Sequence, residues 1–179
     1  MPHSVNCVKC SKKQKYQINL LADSGASLHF TNQRSNLSDY EVVNEEDFTI
    51  TTASAGHTLT VQGRGSMYLQ TSGSQKGTGR VIWLHPVFHV KGLTHKYLSV
   101  GALLNAGFEL RGSLSKLEFR THKSNQLEFL CEPHEPGQNL YWLSATLAHA
   151  DSLLAMSMVS SIDYDIMHRH FAHPSIDVL

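Results

Sequence analysis

From Tyr16 to Ala22 the chain alternates, Gln17-Ile18-Asn19-Leu20, and then turns continuously apolar. That pattern predicts a strand that carries Asp23 to the edge of an interior. Residues 32–46 are polar and read as a surface loop. A β pattern fills 48–71: Phe48 and Ile50, Leu59 and Val61, Met67 and Leu69 each alternate with Thr, Ser or Gln. Ala55-Gly56-His57 and Gly63-Arg64-Gly65 read as turns between these runs. Residues 72–79 form a loop of Ser, Gly, Lys, Thr and Gln, and Arg80 to Val90 is apolar on both faces. The latter predicts a central strand, interrupted or bent at Pro86. Apolar residues at 100, 103, 104 and 108, with Ser99 before them and Gly107 near the end, predict one short helix. Phe108-Glu109-Leu110 returns to strand, Leu117–Phe119 and Leu127–Leu130 form a hairpin, and Leu140–Leu143 is a further strand. Residues 144–161 lose both charge and pattern and read as a linker or weak helix.

Composition narrows the function classes. The 179 residues are 41% hydrophobic, enough for a core, and fit one domain or one domain plus part of another. Fifteen basic and fifteen acidic side chains cancel, so no basic excess points to nucleic acid. Three cysteines, Cys7, Cys10 and Cys131, are not a disulfide framework, and a reducing compartment is the simpler inference. No secretory signal is expected at the N-terminus, and no apolar run approaches the roughly 20 residues of a membrane span.

The candidate chemistry lies in Asp23-Ser24-Gly25-Ala26-Ser27. An acid at the end of an apolar strand is costly to bury without a partner. Ser24 offers a hydroxyl to the acid or the backbone, and Gly25 permits close approach and a positive φ. Asp-Ser-Gly is also ordinary turn chemistry. With the apolar run before it, the small residues after it and His29 beyond, the stretch resembles the retropepsin family, and looks most like the protease of Ty1/copia-type retrotransposon polyproteins. A second stretch, Leu98-Ser99-Val100-Gly101-Ala102-Leu103-Leu104-Asn105-Ala106-Gly107-Phe108, is similar to the segment that closes the protease-like barrel of those elements.

The resemblance implies a mainly β fold: a retropepsin-like closed β-barrel with one short helix, followed by a small α-containing C-terminal segment. It implies Asp23, Ser24 and Gly25 as catalytic residues, and Ala26, Ala55 and Gly56 as substrate-binding, the last two at the tip of a flap. His29 reads as structural or family-typical, because a carboxylate pair needs no histidine. His85, His89 and His95 show no ligand spacing and read as structural.

Aspartic protease chemistry needs two facing carboxylates that share one proton. One acts as general base on a water while the other polarises the scissile carbonyl. Asp39, Asp47, Asp151, Asp163 and Asp165 lack a following Ser/Thr-Gly, so the expected arrangement is a homodimer in which Asp23 meets its symmetry mate. The implied substrate is the Gag-Pol polyprotein, with Leu153-Leu154 or Met158-Val159 as a self-processing site. The alternative is a catalytically inactive, degenerate or domesticated β-barrel module that is structural or binds peptides.

Near the end, His168 and His173 within Asp163–Ser175 resemble the start of the copia-type pre-integrase zinc module, where a His pair and a Cys pair supply the ligands. Met167 stands where that family usually has tryptophan. Four ligands close a structural zinc site, and the Cys pair is missing, so tight zinc binding is not expected. Cys7 and Cys10 lack the remaining knuckle ligands and could be the remnant of a nucleocapsid knuckle. No cofactor is expected for the protease-like part. The expected layout is a disordered lead-in over 1–15, the barrel over 16–122, a β extension over 123–148, a linker over 149–161 and a truncated zinc-module start over 162–179. The expected location is cytoplasmic, within the virus-like particle of the parent element, with no membrane or direct nucleic-acid partner.

Overall fold

The computed structural model describes residues 16–44, 48–51, 58–71, 80–123 and 125–148. Cys7 and Cys10, Ala55 and Gly56, Leu153-Leu154, Met158-Val159, and His168 and His173 lie outside these residues.

The fold is mainly β, with one short α-helix among the described residues. The strands are β1 (Gln17–Asp23), β2 (His29–Thr31), β3 (Ser38–Val42), β4 (Thr49–Thr51), β5 (Thr58–Thr71), β6 (Val81–Val90), β7 (Tyr97–Ser99), β8 (Phe108–Ser113), β9 (Lys116–Thr121), β10 (Leu127–Cys131) and β11 (Trp142–Ala148). The helix α1 spans Val100–Asn105. Strand order in the larger sheet is β11-β1-β7-β2-β6-β5-β3, and β11 also pairs with β5. The pairings from β11 round to β5 therefore close into a ring. The β4 strand pairs with β5, and β10-β9-β8 form a second sheet.

The ring encloses Leu20, Met67, Leu69, Leu98 and Leu143, all essentially inaccessible to solvent. The second sheet adds Phe119, Phe129 and Cys131 to the same cluster. The rings of Phe119 and Phe129 stack with centroids 4.7 Å apart. Burial of Cys131, with some help from Glu132, pushes its thiol up to about 12, so it behaves as a small apolar side chain.

Several elements differ from the sequence reading. Gly63-Arg64-Gly65 is no turn but the middle of the 14-residue β5. A Cβ on Gly63 would collide with the Tyr40 ring, and one on Gly65 would sit 2.6 Å from the Ser38 carbonyl oxygen. These glycines let β3 lie close across β5, the other meaning of glycine inside a strand. Residues 38–42, expected as loop, are that β3 strand; its only half-buried residues are Ser38 and Tyr40, so no apolar run marks it. The β6 strand continues through Pro86, with a cis His85–Pro86 bond. The β5–β6 register shifts there, between Gly65↔Val87 and Met67↔Leu84, so no ladder donor is required of proline. Residues 144–148, whose pattern reads as linker or weak helix although they fall within the expected β extension over 123–148, belong to β11, which pairs with both β1 and β5. After Leu143 the alternation of buried and exposed positions passes to Ser144 and Ala145, small residues that carry little β signal. The helix lies where its pattern places it, capped by the Ser99 side chain and followed by Gly107 at φ +89°. Of its apolar stripe, Val100 and Leu103 are buried, whereas Leu104 is exposed.

Candidate functional site

Asp23 is the last residue of β1 and pairs with Ser99, the last residue of β7, in parallel register. One strand back, Leu20 and Leu21 are locked on the other side to Leu143 and Trp142 of β11. The ring thus fixes where the acid emerges. Asp23 is half-buried, and Ser24 and Gly25 are exposed.

The Gly25 N–H donates to Asp23 Oδ1 at 2.7 Å. This short local bond orients the carboxylate. Among the described residues no donor reaches Oδ2. Gly25 does not adopt the positive φ that its freedom allowed. Its value is space: an added Cβ would lie 3.3 Å from Asp23 Oδ1. The Ser24 hydroxyl, expected to serve the acid or backbone, bonds to neither among the described residues.

Ala26 turns the loop inward. Its carbonyl accepts from the Ser99 hydroxyl at 2.6 Å. The same hydroxyl accepts from Ala102 N–H at 3.0 Å, capping α1. Ser99 N–H in turn donates to His29 Nδ1 at 3.0 Å. A backbone N–H can only donate, so Nδ1 must be the bare nitrogen and the proton sits on Nε2. Burial agrees: it lowers the His29 pKa from 6.5 to about 4, keeping the ring neutral. His29 therefore acts as an acceptor within the scaffold, in line with its structural reading. Nothing in the sequence pattern marks the Ala26–Ser99–His29 chain. Ser99 lies 70 and 73 positions from its two partners, and no local pattern encodes such contacts.

Ala26 and Leu28 also pack against a small second cluster, made of Phe30, Val61, Phe88 and Val90. Phe48, Ile50 and Leu59 pack on the same cluster. The last two lie in the arms of the β4–β5 hairpin, with registers Thr49↔Thr60, Ile50↔Leu59 and Thr51↔Thr58. So the acid's loop and the hairpin's base share one apolar footing. Behind the loop, a cavity of about 80 Å³ lies between β6 and α1, with Leu28, His29, Trp83, His85, Pro86 and Ala102 among its walls.

The remaining histidines have local partners. Tyr40 Oη and His89 Nδ1 lie 3.1 Å apart, as do Ser66 Oγ and His85 Nδ1, and His95 meets Trp142 edge-on. Asp39, the other aspartate among the described residues, lies on exposed β3 at the end of the strand order. No group of three or more potential metal ligands occurs among the described residues.

The ring, the strand-end acid and the small residues after it are what comparison with known families must explain. Residues 20–108 match the family model described as Pol polyprotein, beta-barrel domain. The match supports a fragment of a retroelement Pol polyprotein. It runs from Leu20 in β1 to the first residue of β8, and so takes in Asp23, the β4–β5 hairpin, β6, β7 and α1. No curated protein and no solved structure matches the chain. The Pol polyprotein beta-barrel match stops short of β9, β10 and β11, yet Phe119, Phe129, Cys131 and Leu143 from those strands complete the same core.

Proposed function

We propose that this Pol polyprotein domain is an aspartic endopeptidase of the copia type, with the Asp23 carboxylates of two copies as its paired acids. The observation that carries this reading is the setting of Asp23. A rigid strand end presents the carboxylate, Gly25 N–H orients one oxygen, and no described donor occupies the other. One carboxylate alone cannot both activate a water and polarise a carbonyl. Exposure of Ser24 and Gly25 leaves the tip accessible to a second chain. In such a pair the two acids share a proton, one taking a proton from water and the other donating to the carbonyl oxygen of the peptide. The shared footing of loop and hairpin supports a flap role for the hairpin, whose tip would carry Ala55 and Gly56 over an extended Gag-Pol segment.

The test is cleavage of a polyprotein-derived peptide at mildly acidic pH, with sedimentation run in parallel. Wild type should cleave, be blocked by pepstatin and sediment as a dimer at working concentration. Asp23→Asn should remain folded and lose cleavage. If the Asn variant cleaves as wild type does, Asp23 is not the acid. A folded strict monomer without activity would instead favour a structural or peptide-binding barrel module.

A further inference from the structure

We infer that His29 and Ser99 are positioning residues for the Asp23 loop, His29 holding Ser99 and Ser99 holding Ala26. The inference rests on reading Asp23 as the reacting acid, since that is what makes the loop's position matter.

The geometry is a relay of three buried or half-buried hydrogen bonds. His29 Nδ1 takes Ser99 N–H at 3.0 Å, and Ser99 Oγ is divided between Ala102 N–H at 3.0 Å and the Ala26 carbonyl at 2.6 Å. The hydroxyl has one proton to give, and Ala102 N–H approaches it as donor, so that proton must go to Ala26. Each bond therefore has a fixed direction. Ser99 is wholly buried and is also the residue that pairs with Asp23 across β1 and β7. Ser99 thus joins, through its backbone, the strand beside the acid and, through its hydroxyl, the start of α1 and the loop after the acid. The His29 side chain makes no other hydrogen bond among the described residues, and His29 forms part of the cavity wall behind the loop. If it were there only to fill space, an apolar side chain would serve. An acceptor is needed because Ser99 N–H is buried, and a buried donor left unpaired destabilises the local structure.

The experiment compares five chains: wild type, Asp23→Asn, His29→Leu, His29→Asn and Ser99→Ala. Leu and Asn have nearly the same shape, but only Asn places an acceptor where Nδ1 lies. Two readouts are taken: amide hydrogen exchange and chemical shifts at Gly25, Ser99 and Ala102, and kcat and KM for the peptide. In His29→Leu the Ser99 amide should exchange on the order of tenfold faster, as expected for one lost buried hydrogen bond. The Gly25 amide should shift, and kcat should fall by about tenfold with KM within about twofold. His29→Asn should restore both the protection and most of kcat. Ser99→Ala removes only the hydroxyl and should move Gly25 and kcat in the same direction as His29→Leu, which keeps the test decisive if the Leu variant does not fold. Equal behaviour of the Leu and Asn variants, or a Gly25 amide unmoved in Ser99→Ala, would overturn the inference. If wild type and Asp23→Asn are equally inactive, the protease reading fails, while the amide readout still decides whether the relay positions the loop.

Discussion

The two apolar clusters are built on different scales. The larger holds fifteen buried residues drawn from β1, β5–β7, β9–β11 and α1, against four in the smaller, which lies under the Asp23 loop and the hairpin base. Packing alone can hold the first. At the second the apolar footing is thin, and directed bonds do the rest: Gly25 to Asp23, Ser99 to Ala26, Ser99 to His29. The domain thus separates what keeps it folded from what sets the position of the acid. A loop fixed by a few polar links can be displaced without unfolding the ring, whereas the ring cannot lose a large core side chain without general loss.

Truncation on each side tests this most strongly. Phe119→Ala, in the large cluster, should cost about 3–5 kcal/mol by urea unfolding and lower protection throughout the sheet. Phe88 stacks on Phe48 at 5.1 Å within the small cluster. Phe88→Ala should cost less, near the lower end of about 3–5 kcal/mol, because its cluster has only four buried residues and more room to relax. Its exchange losses should concentrate in 26–31, 48–51 and 58–61. If Phe88→Ala loosens the β9–β10 hairpin as much, the two clusters are one cooperative unit and the contrast is void.

Acid should find the weak point of the bonds behind the Asp23 loop. The His29 pKa is lowered from 6.5 to about 4 by burial. Above pH 6.5 the ring is neutral in both folded and unfolded chains and adds no pH dependence. As pH falls from 6.5 the unfolded chain takes up a proton that the folded one refuses, so stability falls with it. Below about pH 4 both forms are protonated and the loss levels off at roughly 3 kcal/mol, at 1.36 kcal/mol per unit. Burial, and then Arg34, also lower His89, with the same sign. The His29 share is therefore read as the difference in pH-stability slope between wild type and His29→Asn over pH 6.5 to 4. Parallel slopes would mean that His29 already titrates as it does in the unfolded chain.

How much of this was legible in the sequence differs between the two regions. Strands feeding the large cluster announced themselves: Gln17–Leu21 alternates, Val81–Leu84 is apolar on both faces, and the helix pattern ends on the glycine that takes positive φ. The acid's position at a strand end followed from the same pattern. What stayed hidden depended on pairing between distant segments. Gly63 and Gly65 carry the composition of a turn, and only the approach of Tyr40 and Ser38 shows that they mark a crossing. The β11 strand hides because Ala and Ser can alternate in burial without alternating in hydrophobicity. Ser99 read as a helix cap, and it is one, but its second bond to Ala26 has no local signature.

The crossing yields the next prediction. Gly63→Ala should cost about 1–3 kcal/mol, because the new methyl must displace the Tyr40 ring or the β3 backbone at Glu41. Tyr40→Ala added to it should recover only part of the loss, since the Glu41 carbonyl remains 2.5 Å from the Cβ position. Thermal denaturation of the single and double variants checks this. Full recovery would show that the ring alone, and not the strand, needs the glycine.

The smallest effects belong to ion pairs, and they sharpen the contrast from the polar side. Arg64 and Glu41 meet at 3.0 Å across β5 and β3, but both side chains are at least half exposed. Water and salt already screen such a pair, and ordering two long side chains offsets most of the attraction. Arg64→Ala should therefore change stability by less than about 1 kcal/mol, and by less still in high salt. Arg80 grips both oxygens of Glu128 at 2.8 and 3.0 Å, and Glu128 is only 17% exposed. This pair ties the start of β6 to β10, one sheet to the other. Arg80→Ala should cost more than Arg64→Ala, and its loss should persist when salt is raised, because the carboxylate left behind is partly desolvated. If the two variants are indistinguishable in urea at low and high salt, the second sheet is held on the ring without this ion pair, chiefly by the packing of Phe119, Phe129 and Cys131. The division of labour would then be simpler: apolar packing for the scaffold, and directed polar bonds only at the loop that carries the acid.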